Sequence, residues 1–103
     1  MSPEDRDINL EQRIARANEA RAVLENKLVR ETLDKIREDI VDQWASCPAR
    51  DTEGREWLWR HYQAAAKFAE KFALMVEDGD VAYKERKLTL VERMKHVVGE
   101  YGR

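Results

Sequence analysis

A chain of 103 residues has room for one domain. Its 39% charged residues, four glycines, two prolines and single cysteine favour helix and exclude a collagen repeat or a disulfide scaffold. Nineteen basic against 21 acidic residues leave a net charge of −2, which does not indicate a strongly basic nucleic-acid module.

The N-terminal MSPEDRDINLEQR is acidic and polar. It lacks the basic start and apolar stretch of a secretory signal. No apolar run approaches the ~18 residues that a bilayer span needs. Cys47 has no partner in the chain, which fits a reducing, cytosolic setting. We read 1–103 as one helical domain with residues 1–6 as a frayed end.

From Ile8 the apolar residues are Ile8, Ile14, Ala15, Ala17, Ala20, Ala22, Val23 and Leu24. This alanine-rich pattern predicts a first helix with weak anchoring. Asn26 suits a break and a helix cap, and a helix continuous through it is the alternative. Val29, Leu33, Ile36, Ile40 and Trp44 then recur at spacings of 4, 3, 4 and 4, one face of a second helix. Glu31 and Lys35 form an i,i+4 pair on its polar side. Pro48 disfavours helix at the residue before it, so this helix should stop near Ala45.

Asp51 or Thr52 can cap a third helix, with Glu53 and Glu56 at its positive end. Leu58, Tyr62, Ala65, Ala69, Phe72 and Val76 repeat at 4, 3, 4, 3 and 4, a heptad-like seam. A second stripe, His61, Ala65, Phe68, Phe72 and Met75, lies beside it. With Trp57 and Trp59 the helix is apolar over more than half its girth, which one antiparallel partner does not cover. Trp57, Leu58, Tyr62, Phe68, Phe72 and Met75 are therefore the candidate oligomer or partner interface. The aromatic group Trp44, Trp57, Trp59 and Tyr62 brackets the Pro48 loop. It is expected to close the core at that corner more than to serve as an interface anchor.

Gly79 suits the left-handed position just past a helix, so the third helix should end there, with Asp80 capping the next. The last segment carries Val81, Tyr83, Leu88, Val91, Met94, Val98 and Tyr101. Thr89-x-x-Glu92 matches a capping box, and Lys87-Leu88-Thr89-Leu90 alternates as a short strand would; helix is preferred. The fold class is all-α, with three or four helices in an antiparallel hairpin or bundle. The third helix is central, and the core is completed by oligomerisation.

Chemistry is thinly represented. His61, His96 and Cys47 do not make the four-ligand set of a zinc site. Cys47 has no family signature around it and reads as a loop residue, not a nucleophile. Phosphate-binding glycine loops are absent. No enzymatic activity, cofactor, metal or small-molecule substrate is expected.

Charge is unevenly placed. Residues 31–42 carry −3, with Asp34, Glu38 and Asp42 in an i,i+4 ladder; residues 84–95 carry +3, from Lys84, Arg86, Lys87, Arg93 and Lys95; residues 6–30 carry +2. A solvated face is the ordinary reading of such runs. The functional one is that Asp34, Glu38, Asp42, Lys84 and Lys87 form charged partner faces, between subunits or toward phosphates.

The run Ala22-Val23-Leu24-Glu25-Asn26-Lys27-Leu28, with Arg50-Asp51-Thr52-Glu53-Gly54-Arg55-Glu56-x-Leu58-Trp59, resembles small helical proteins encoded near the head and packaging genes of tailed phages. Those tend to show a leucine-glutamate-asparagine turn, an acidic or threonine cap before a long helix, and a glycine ending that helix. The matching positions here are Leu24-Glu25-Asn26, Asp51-Thr52 and Gly79, over residues ~20–85. Where the group often has proline after the asparagine, this chain has Lys27. The resemblance implies a phage structural or assembly protein that contacts itself and other phage proteins, in the infected cell's cytoplasm or the virion. It brings no catalytic residues. The alternatives are a nucleic-acid-binding packaging or regulatory factor, like a small terminase subunit, and an inhibitor of a host protein.

Overall fold

The computed structural model describes residues 2–101, with side chains through Lys95, and its elements are three helices: α1 (Pro3–Glu25), α2 (Lys27–Ser46) and α3 (Thr52–Tyr101). There is no strand among the described residues. His96, Val98 and Tyr101 lie outside the described side chains. No described helix is long and apolar enough to cross a membrane.

The helix ends follow local chemistry. Ser2 starts α1: its hydroxyl accepts from the Asp5 N–H at 3.2 Å and its carbonyl from the Arg6 N–H at 3.0 Å. Residues 3–6, expected to be part of a frayed end, lie in the helix. Asn26 breaks the chain, extended at φ −64° and ψ 122°, and its side chain accepts from the Val29 N–H. The break thus forms with Lys27, and no proline is needed. Cys47 is extended at ψ 128°, as a residue before proline prefers to be, and α2 ends at Ser46. Asp51 caps α3, with its carboxylate accepting from the Gly54 N–H at 3.0 Å. On α2 the expected Glu31–Lys35 pair gives way to Lys27–Glu31 at 3.6 Å and Lys35–Asp39 at 2.9 Å.

The expected ending at Gly79 is wrong. α3 runs through Gly79, and among the described residues no glycine has positive φ. Gly79 is buried, and a Cβ on it would collide with the Ala17 Cβ. Glycine here serves close approach of two helices, at a cost of about 1 kcal/mol in helix propensity. The break near Lys87–Thr89 and the short strand are absent too. The Thr89 hydroxyl donates to the Glu85 carbonyl at 3.0 Å, a bond made within a continuing helix.

Contacts divide the chain into two units. The first holds residues 2–20 and 74–101, where α1 runs antiparallel to the later part of α3, pairing Asp7 with Arg93 and Arg13 with Asp78. Leu10, Ala17, Ala20 and Ala82 form its core, with Gly79 against Ala17. α1 was expected to be weakly anchored, yet it supplies three of the six buried apolar side chains among the described residues. Leu10, absent from the alanine-rich pattern, is the largest fully buried one, whereas Ile8 is exposed. The second unit is residues 21–73, in which α2 and the first part of α3 form an antiparallel hairpin around Ile40 and Leu58.

The Arg13 guanidinium grips Asp78 with Nη2–Oδ1 at 2.8 Å and Nε–Oδ2 at 3.0 Å. These hydrogen bonds hold the Asp78 carboxyl below the ordinary carboxylate range, against a smaller desolvation effect. A depressed carboxylate contributes stability that is present above its unfolded pKa and lost as pH falls through its folded one. The stability gap between wild type and Asp78→Asn should therefore be full at neutral pH and shrink below about pH 4. Thermal melts at several pH values check this. A gap constant from pH 7 to pH 2 would assign the loss in the variant to something other than the charge.

Candidate functional site

The surface with the most to explain is the α2–α3 hairpin. Only Ile40 and Leu58 are buried in it, while eight large apolar side chains stay exposed: Leu28, Ile36, Val41, Trp44, Trp57, Trp59, Tyr62 and Phe68. Helical angle explains why. At 100° per residue, Leu58, Tyr62, Ala65, Ala69 and Phe72 turn toward α2. Trp57 and Phe68 then fall on one flank, and Trp59 on the other.

Each flank carries an open groove between the two helices. One, of about 240 Å³, is lined by Ile40, Val41, Trp44, Leu58, Trp59 and Tyr62. The opposite one, of about 460 Å³, is lined by Leu28, Val29, Thr32, Leu33, Ile36, Ala65 and Phe68. A third hollow beside the first is rimmed by charge, with Arg37, Glu38 and Asp42 around Val41 and Tyr62.

The aromatic rings are held in place. Trp59 stacks on Tyr62, centroids 6.0 Å apart and planes 9° off parallel. Phe68 meets Phe72 edge-on at 5.1 Å. Trp57 lies 3.8 Å from the His61 ring, whose Nδ1 is 3.0 Å from the Trp57 carbonyl oxygen. That oxygen only accepts, so a hydrogen bond here requires the tautomer with Nδ1 as donor. Arg55 sits 4.4 Å over the Trp44 ring and donates to the Cys47 carbonyl, which ties the loop to both helices. Fixed rings lose little side-chain entropy when a partner covers them.

These positions correct two expectations. The group Trp44, Trp57, Trp59 and Tyr62 does not close the core, because Trp57 (54% exposed) and Trp59 (50%) sit on opposite flanks and all four rings stay open. Leu58 is only 5% exposed, so it belongs to the hairpin's own core and is not available to a partner. Of the other candidate interface residues, Trp57, Tyr62 and Phe68 are exposed and Phe72 is half-buried. Met75, exposed, is on the part of α3 that belongs to the first unit. Leu28, Ile36 and Val41 were missed as surface residues. The α2 periodicity contained Ile36, but nothing local showed that α3 would leave it uncovered.

Cys47 is half-buried in the loop, its Sγ 3.8 Å from an Asp51 carboxylate oxygen. Among the described residues no group of three or more His, Cys, Asp and Glu is placed to hold a metal ion. The basic stretch divides by face. Arg93 pairs with Asp7 at 3.0 Å, and Arg86 lines a cleft with Asp7 and Glu11. Lys84, Lys87 and Lys95 are exposed. On α2, Lys35 bonds Asp39, which raises the Lys35 pKa, and Asp34, Glu38 and Asp42 are exposed.

Compared with models of protein families, with curated proteins and with solved structures, the chain matches none.

Proposed function

We propose that this chain is a non-enzymatic structural or assembly protein of a tailed phage that acts through protein–protein contacts as a helical oligomer. The phage setting, and with it other phage proteins as partners in the infected cell or the virion, rests on the cap motifs at Leu24-Glu25-Asn26 and Asp51-Thr52. The oligomer rests on one observation: the hairpin buries two large apolar side chains and exposes eight.

Area decides the occupant. A fully buried aromatic ring removes about 150–250 Å² from water. Five rings left about half open therefore offer roughly 400–600 Å². Leu28, Ile36 and Val41 bring the total to ~800 Å², divided between the two flanks, so each flank offers about half of what one partner of a stable interface buries. A hairpin of another copy laid on either flank supplies the same chemistry, and covering both flanks takes a neighbour on each side.

Light scattering or sedimentation equilibrium tests the reading. Wild type should be oligomeric at high micromolar concentration. Phe68→Glu removes a ring and places a charge in the covered groove. It should weaken association by at least about a hundredfold, equivalent to roughly 3 kcal/mol, with helicity intact. A wild type that stays monomeric throughout that range overturns the proposal.

A further inference from the structure

Two charged lines in this chain are complementary, and all their side chains are exposed, although Glu38 and Asp42 also rim the hollow beside Tyr62. On α2, Asp34, Glu38 and Asp42 lie within a sector of about 80° centred opposite the buried Ile40. On α3, Lys84, Lys87 and Lys95 lie within a sector of about 80° centred opposite the buried Ala82. Other charges nearby are engaged: Glu31 with Lys27, Lys35 with Asp39, and Arg93 with Asp7. Among the described residues no ion pair is formed by any of the six. The acidic line spans about 12 Å and the basic line about 16 Å, so one can lie along the other.

We infer that the lysine line of α3 docks on the carboxylate line of α2 of a second copy, joining copies head to tail. The inference rests on the assembly reading above; its lysines lie outside both grooves, while Glu38 and Asp42 rim the hollow beside the first. Charge complementarity within one sequence names the occupant: every copy brings both halves of the contact. Between residues 84 and 95 the outward sector of α3 holds no carboxylate. It does hold Val91, 39% exposed, an apolar side chain that suits a protein surface better than a phosphate backbone. Because the two patches differ, the contact is heterologous; it closes into a ring or continues as a filament. Each exposed pair contributes up to about fivefold in affinity, so three in line give roughly tenfold to a hundredfold, sensitive to salt.

The test is sedimentation velocity of the full chain in low and high sodium chloride, with K84E/K87E and D34K/E38K studied singly and mixed. Wild type should fall from large particles at low salt to a smaller, salt-resistant one at high salt. Each double variant alone should stay at the smaller size in low salt, since both its lines then have the same sign. Mixed in equal amounts, the two should recover the large particles, because each supplies the complement of the other. Loss of mass in Phe68→Glu at both salts reports on the hairpin grooves and leaves this contact standing. A wild-type mass independent of salt, or a mixture that does not reassociate, overturns it. Labelled duplex DNA bound by wild type at low salt, lost in K84E/K87E with the particle size unchanged, also overturns it and makes the lysine line a phosphate contact.

Discussion

Gly79→Ala is expected to destabilise the α1–α3 pairing by about 1–3 kcal/mol, although alanine is the better helix former by about 1 kcal/mol. The new Cβ meets the Ala17 Cβ and, next, the α1 backbone at the Arg13 carbonyl oxygen and the Ala17 Cα. Neither has a rotamer to turn away, so the helices must separate. Separation uncovers Ala20 and Ala82 and strains the Arg13–Asp78 hydrogen bonds one turn away. A net loss near 1 kcal/mol lowers the melting temperature by about 4–8 °C. The same substitution at Gly54 meets only the Asp51 carboxylate, a side-chain end that can move, so its cost is confined to the cap. Adding Ala17→Gly to Gly79→Ala should recover part of the loss. A rise in melting temperature for Gly79→Ala alone would mean that the helices do not approach here.

The difference between the two glycines shows what was legible in the sequence. Helix ends with nearby partners could be read directly: Asn26 needs only the Val29 N–H, Asp51 only the Gly54 N–H, and Cys47 is constrained by the proline next to it. The seam from Leu58 to Phe72 was legible because its 4-3 spacing is itself the geometry of a helix face. Gly79 was not, since a glycine past a helix end and a glycine under a crossing helix look alike until Ala17 is known to face it. Leu10 was legible and was overlooked: with Ile14, Ala17, Ala20 and Leu24 it recurs at 4, 3, 3 and 4, one helical face, but it stands among Asn9, Glu11 and Gln12. At the candidate site, periodicity gave the width of the apolar surface on α3 but not the angle at which α2 would lie. That angle placed Leu58 inward and left Trp57 and Trp59 out on either side.

Leu10→Ala should have the larger effect on α1, about 2–5 kcal/mol. Leu10 is 1% exposed and the one large side chain that α1 buries fully. Truncation loses the transfer energy of the removed carbons and leaves a void that the neighbouring small residues cannot fill. Ala17 and Ala20 remain as contacts, each presenting a single methyl group. Half-buried Ile14 and the Arg13–Asp78 and Asp7–Arg93 pairs also remain, but exposed ion pairs contribute little, so α1 is left weakly docked. Because Leu10 belongs to the first unit and the hairpin has its own core at Ile40 and Leu58, the loss should be local. Amide hydrogen exchange in residues 6–20 should accelerate by about a hundredfold, the equivalent of roughly 3 kcal/mol, while α2 amides from 30 to 44 keep their protection. Equal acceleration in α2 would show that both units open in one cooperative step. Unchanged exchange in α1 would remove Leu10 from the core. The variant keeps both hairpin grooves and both charged lines, so particle size at the salt-resistant level should also be retained if α2 and α3 carry the assembly.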